Sequence, residues 1–170
     1  LTELDRKAGD GDFGQNMEAA FGGIELPLRG TDTEIFTGLA KRLLVLAGGT
    51  SGAVFGTLFN ELARAETLAD GLNDAADLIH ELGGAQRGDR TMLDALIPAA
   101  EKARELGAKD PDAETLQALF AAAHAGALDT EDLAAKKGRA SYLGDRSKGV
   151  IDPGALVVSW LFGGGPLSTR

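Results

Sequence analysis

Apolar residues recur along this chain at three- and four-residue intervals, the spacing that lines one side of an α-helix. Ile35, Leu39, Leu43 and Leu46 form one such row, opened by Thr31 or Asp32 as cap and stopped at Gly48-Gly49. Leu72, Ala75, Ala76, Ile79 and Leu82 form a second within residues 68–82, ended by Gly83-Gly84. Met17, Ala20 and Phe21 predict a helix over 14–21 that stops at Gly22-Gly23. The same spacing predicts helices over 53–65, from the turn at 88–92 to about Leu106, and from Pro111-Asp112 to about Ala125. Asp89 or Thr91 is the expected cap of the second of these, and Pro98 the expected site of a kink. A short helix over 130–137 and a closing apolar helix over 155–162, with Pro153 in its first turn, complete the series. Leu1 to Asp5 reads as the tail of a helix whose earlier turns are absent, and Gly163 to Arg170 as a frayed tail. No run alternates as a strand would. Seven or eight helices joined by short loops predict an all-α fold, an antiparallel bundle or closed helical barrel with the glycine loops gathered at one end. Residues 1–170 are read as one domain of this kind.

Composition sharpens this picture. A chain rich in Ala, Leu and Gly and poor in Tyr, Trp and β-branched residues favours helices over sheet. Its formal net charge of −9 argues against nucleic acid and anionic membrane as partners, because both reward clustered Lys and Arg. No apolar run is long enough to span a bilayer. The absence of cysteine removes disulfides and thiolate metal sites and is compatible with a cytoplasmic protein.

Three stretches carry candidate chemistry. Asp5, Asp10 and Asp12 are brought together by a turn containing Gly9, Gly11 and Gly14, either as a nest for a hard cation such as Mg²⁺ or as an exposed acidic turn. The EF-hand pattern is absent, since no Glu follows at the required distance. Gly49-Thr50-Ser51-Gly52 precedes an apolar helix, as an anion site of backbone amides and hydroxyls or as a simple cap. The polar, glycine-punctuated stretch 138–155 holds Arg139, Arg146 and Lys148 in an otherwise acidic chain, as a phosphate or partner contact or as a solvated loop. His80 and His124 stand alone in pattern and are read as structural or exposed.

Taken together, four stretches resemble one family, the nucleotide-binding L subunit or L domain of dihydroxyacetone kinases. They are Leu1-Thr-Glu-Leu-Asp5 with Gly9-Asp-Gly-Asp12, Gly48-Gly-Thr-Ser-Gly52, Gly88-Asp-Arg-Thr-Met-Leu-Asp94, and Gly138 to Ser147 with Asp152-Pro-Gly-Ala155. They occur in the family's order and span nearly the whole chain. The resemblance implies a helical barrel whose loop end holds ADP or ATP through two Mg²⁺ ions. Asp5, Asp10 and Asp12 would be the metal ligands. Phe13, Gly14, Gln15 and Asn16, with Thr50 and Ser51, would meet the phosphates; Gly83 and Met92 would lie against the adenosine; and Arg139, Asp152, Pro153 and Gly154 would complete the pocket.

The implied activity is phosphoryl transfer to a small ketose held on a separate K subunit, with no covalent nucleophile in this chain. The implied partners are that K subunit and, in one branch of the family, a phosphohistidine protein of the sugar phosphotransferase system that rephosphorylates bound ADP. In the other branch ATP exchanges. Phe13 and Val150 stand where the family usually has His, which leaves a second reading, a nucleotide-binding regulatory paralogue without turnover. A homodimer through an apolar helix face is compatible with the sequence.

Overall fold

A computed structural model describes residues 1–9 and 11–163. Among them the chain forms α1 (Thr2–Ala8), α2 (Phe13–Phe21), α3 (Asp32–Leu46), α4 (Gly49–Arg64), α5 (Leu68–Gly83), α6 (Leu93–Leu106), α7 (Ala113–Asp129) and α8 (Pro153–Trp160). Two 3₁₀ segments, Thr130–Asp132 and Arg139–Ser147, lie between α7 and α8. No strand occurs among the described residues, so the all-α expectation holds. Among the described residues no helix is long and apolar enough to cross a membrane. The tail expected at Gly163 to Arg170 lies, beyond its first residue, outside the described residues.

The local signals act as elementary chemistry requires. Thr31 caps α3 in a reciprocal box, its amide donating to Glu34 Oε2 at 2.8 Å and its hydroxyl accepting from the Glu34 amide at 3.3 Å. Thr67 and Asp112 cap α5 and α7 by the same kind of side-chain bond. Each helix then packs mainly on its neighbours in the chain, α3 on α4, α4 on α5, α5 on α6, α6 on α7 and α7 on α8. The shared core includes Leu43, Phe55, Leu58, Leu72, Leu93, Leu96, Leu119 and Val158. Arg42 of α3 closes the end of α2, donating to the carbonyls of Ala20 at 2.8 Å and Gly22 at 3.1 Å, which α2 itself leaves open.

α6 and α7 cross closely at Gly126. Buried alanines 95, 99, 100 and 103 on α6 let α7 approach closely, and Gly126 of α7 lies where a Cβ would overlap the Asp94 carbonyl oxygen and stand 3.1 Å from Pro98 Cγ. Alanine would gain up to about 1 kcal/mol of helix propensity there. It would lose more, because the obstacle is core backbone. Gly126→Ala is expected to destabilise the fold by about 2 kcal/mol net, lowering Tm by roughly 6 °C in a scanning calorimeter. A raised Tm would contradict the crossing.

Some boundaries differ from those expected. α4 starts at Gly49 rather than residue 53, because Gly48 is its cap and Gly49 takes φ +64°, redirecting the chain straight into the helix. Thr50 and Ser51 therefore belong to the first turn. α7 runs four residues past Ala125, to Asp129. The helix expected over 130–137 shrinks to Thr130–Asp132. Thr130 Oγ1 there donates to the Ala127 carbonyl and accepts from the Asp152 amide at 2.8 Å, while the Ala135 amide reaches Ser147 Oγ at 2.8 Å. These cross-links hold the chain in another path.

Candidate functional site

The starts of α2, α4 and α8 and the end of α5 meet with α1, the turn at residues 88–92 and the segment around Arg139 at one cavity of about 310 Å³. Three helix amino termini converge there, each presenting backbone N–H groups and the positive end of a helix dipole. The site's potential thus differs from that of the acidic chain as a whole.

Asp5 is 9 % exposed, and its Oδ2 accepts a hydrogen bond of 2.9 Å from the Phe13 amide at the start of α2. Gly9 permits this approach, because a Cβ there would overlap Asp5 Oδ1. Gly11 turns the chain with φ +84°, a conformation glycine takes at little cost. Asp12 precedes α2 without capping it through its side chain, and its Oδ2 lies 3.3 Å from Arg139 Nη1. Both partners are more than half exposed, so the pair contributes well under 1 kcal/mol, yet it joins the first loop to the second 3₁₀ segment. Asp10 lies outside the described residues. Asn16 accepts the Gly48 amide at 3.0 Å, locking the starts of α2 and α4 together.

The opposite wall is apolar. Phe13 packs on Phe55 with ring centroids 6.0 Å apart, and Val54, Ile79 and Met92 continue the surface. Gly83 ends α5 at the rim, where its carbonyl accepts from Lys137 Nζ at 3.2 Å. Below lies the turn at 88–92. It is organised by Asp94, whose carboxylate accepts the Gly88 amide at 2.5 Å and the Thr91 amide at 2.8 Å. α6 starts at Leu93 after Met92; Thr91, one of the two expected caps, accepts the Leu93 amide through its hydroxyl at 3.2 Å, whereas Asp89 makes no bond to the helix start. Asp89 instead accepts the Gln86 amide at 3.1 Å and pairs with Lys136 Nζ at 3.2 Å.

Arg90 sits in this turn with φ +61°, the one non-glycine residue of positive φ among those described. It is 1 % exposed and donates through Nη2 to the Val150 carbonyl at 2.7 Å. Burial pulls its pKa down, against the attraction of Asp152 and then Asp5, which act to raise it. Asp152 caps α8 by accepting the Ala155 amide at 2.8 Å. Its carboxyl is pushed up to about 6 by burial, opposed by the Ala155 amide and by Arg90 and assisted by Asp94.

Of the residues expected at the site, Asp5, Asp12, Phe13, Asn16, Thr50, Ser51, Gly83, Met92, Arg139, Asp152, Pro153 and Gly154 line the cavity. Gly14 and Gln15 do not. Gln15 is exposed, and Gly14 packs on the start of α1, where a Cβ would overlap Thr2 Oγ1. Arg90 and Phe55 also line the cavity without having been expected. Phe55 sits on the apolar face of a predicted helix, and Arg90 within a quoted motif, but nothing in the pattern shows that either turns toward a cavity. The histidines, read as structural or exposed, lie outside the cavity: His80 is exposed, with Nδ1 2.7 Å from the Ala85 carbonyl oxygen, and His124 is half-buried and stacks on Phe120 at 5.0 Å.

Residues 7–164 match the DAK2 domain, and the chain belongs to that family. It is 36 % identical over 95 % of its length to the PEP-dependent dihydroxyacetone kinase, ADP-binding subunit DhaL, of Escherichia coli (strain K12), covering 83 % of that protein. It is also 35 % identical to the L-erythrulose 1-kinase of Mycolicibacterium smegmatis, but spans only 31 % of it. Among solved structures, the dihydroxyacetone kinase of C. freundii in complex with AMP-PNP and Mg²⁺ superposes with a TM-score of 0.70 at 33 % identity, over 95 % of this chain and 29 % of the other. The chain therefore matches most of the separate subunit and under a third of the longer kinases.

Proposed function

We propose that the chain is the Mg-nucleotide-binding subunit of a kinase for dihydroxyacetone or a similar small ketose. The observation that carries this is the joining, in one cavity, of carboxylates at the end of α1 and start of α2 with three converging helix starts and an apolar wall. The donor set fits Mg²⁺: hard carboxylate oxygens from Asp5 and Asp12, with Asp10 between them in sequence, beside space for phosphate and water. The cation would neutralise phosphate charge and orient the transferred group.

The chain's own residues bind and orient. Asp5, Asp10 and Asp12 hold the metal, with Asp5 fixed by the Phe13 amide. Asn16 with Thr50 and Ser51 offers amides and hydroxyls to the phosphates, with Phe13 as the apolar wall beside them, and Gly83 and Met92 bound the adenosine side. Arg139, Asp152, Pro153 and Gly154 complete the pocket. The acceptor sugar belongs on a K subunit, and the donor is ATP by exchange or a phosphohistidine phosphotransferase-system protein acting on resident ADP. We assign the chain to the cytoplasm and read it as one L-type domain over residues 1–170.

Purified protein tests this. Nucleotide released on denaturation should be ADP or, if the protein emerges empty, Mg-ADP at about 100 times its Kd should stabilise it by about 2.7 kcal/mol. Protein that carries no nucleotide and shows no shift with Mg-ADP or Mg-ATP would refute the assignment. The apolar Phe13, packed on Phe55 at the cavity wall, favours one second reading, a regulatory paralogue that binds nucleotide without turnover. Turnover of dihydroxyacetone or erythrulose by the chain reconstituted with a K subunit separates the two.

A further inference from the structure

Arg90 is the most deeply buried charge among the described residues, 1 % exposed, yet only one arm of its guanidinium is bonded to any of them. Nε and Nη1 are buried and have no hydrogen-bond partner among the described residues. An arginine cannot shed its proton to escape this, so the charge persists in a medium that penalises it. The backbone is equally unusual, since φ +61° costs a non-glycine residue about 1 kcal/mol. The structure holds the turn in place regardless. Asp94 takes the Gly88 and Thr91 amides, and Lys136 bonds the Gly88 carbonyl and the Asp89 carboxylate.

So costly an arrangement needs a compensating interaction, and the groups that attract Arg90 are the carboxylates of Asp152 and Asp5. Both line the cavity, Asp5 from α1 and Asp152 from the start of α8. The charge of Asp94 also acts on Asp152. Arg139 and Lys137 are solvent-facing by comparison, one beside Asp12 and the other on the Gly83 carbonyl. Arg90 thus lines the same cavity as these carboxylates and, bonded to neither of them among the described residues, acts on them through space.

We infer that Arg90 is a positioning residue, a resident countercharge that keeps Asp5 and Asp152 assembled while the site holds no cation. The inference rests on the reading of Asp5 as a ligand of a divalent cation. Arg90 and such a cation then compete to neutralise one carboxylate group, so that each weakens the need for the other. The empty site stays folded because Arg90 is there, and the cation binds less tightly than the same carboxylates would bind it alone. A purely structural arginine, retained for packing, would show no such coupling.

The test uses Mg²⁺ alone with the whole chain, in wild type, Arg90→Met and Arg90→Lys, by thermal unfolding and by calorimetric titration. Arg90→Met keeps much of the side-chain volume without the charge. It is expected to lose stability chiefly in the metal-free form, to show a Tm rise with Mg²⁺ at least twice that of wild type, and to bind Mg²⁺ about tenfold more tightly. Arg90→Lys keeps the charge and is expected to respond to Mg²⁺ as wild type does, whatever its Tm. Equal Mg²⁺ responses in wild type and Arg90→Met would overturn the inference while leaving the metal site intact. If Arg90→Met does not fold with or without Mg²⁺, Arg90→Lys decides, because a doubled Mg²⁺ response there would rule out the role of charge. A wild-type protein indifferent to Mg²⁺, with and without ADP, would refute both the inference and the function on which it rests.

Discussion

Asp5→Asn is expected to weaken Mg-ADP binding on the order of a hundredfold and to remove turnover in the complex with a K subunit, while far-UV circular dichroism stays that of wild type. The carboxylate has one oxygen committed to the Phe13 amide at 2.9 Å, which leaves the other for a cation at the cavity. Asparagine can still accept from Phe13 through its carbonyl oxygen, so the junction of α1 with α2 survives. What it cannot supply is the anionic oxygen, and Mg²⁺ held by few protein ligands depends on each of them. Even changes one shell out from a metal typically lower its affinity ten- to a hundredfold, so loss of a ligand should reach at least the upper end of that range. Isothermal titration with Mg-ADP measures it directly. Affinity within threefold of wild type would remove Asp5 from the metal shell and leave it the task of orienting α2.

The parts of this site that can be read in sequence are those whose signal is local. Ile35 to Leu46 and Leu72 to Leu82 announce their helices because burial selects one face, and the caps Thr31 and Asp112 announce the starts because a hydroxyl or carboxylate at that position bonds the next turn. The first loop is legible for a similar reason: aspartates spaced by glycines bring carboxylates together over a few residues. The start of α4 misleads, because Gly-Thr-Ser-Gly has the composition of a loop while Gly49, at φ +64°, turns the chain directly into a helix. Gly52 stands inside that helix because a Cβ would overlap the Ala47 carbonyl oxygen.

Long-range bonds hide the rest. The polar run 138–147 looks solvated in sequence, yet Ser147 is fully buried, accepting from the Ala135 amide and donating to the Gly144 carbonyl at 2.7 Å. No periodicity could indicate those partners. Arg90 is hidden more completely. An arginine between Asp89 and Thr91 has the composition of a surface turn, because charged residues are rarely buried, and its one bonded partner among the described residues, the Val150 carbonyl, lies far along the chain.

Asp152 turns the same crowding into a pH dependence. Its pKa is about 6 in the folded, ligand-free protein, against an ordinary 3.8 once the chain unfolds. The folded state therefore holds the proton more tightly. The stability this gives is fully present below the unfolded value and is lost as pH rises through about 6, leaving an ionised carboxyl that burial opposes. A difference of that size corresponds to about 3 kcal/mol as a ceiling, since one pKa unit is about 1.4 kcal/mol. The residue keeps part of its surface at the open cavity, where water screens it, so the expected contribution is about 1–2 kcal/mol. Asp152→Asn isolates it, because asparagine can still accept the Ala155 amide that caps α8 but carries no charge at any pH. Other groups titrate equally in both proteins, so the informative quantity is the Tm of the variant minus that of wild type, without nucleotide or metal. That difference is expected to rise through about pH 6 and to level off above about pH 7, with the asparagine variant the more stable by a few degrees. A difference that does not change between about pH 5 and pH 8 would mean that Arg90 and the Ala155 amide together outweigh burial. Asp152 would then be a carboxylate throughout, and the floor of the site would carry one more negative charge whenever phosphates enter it.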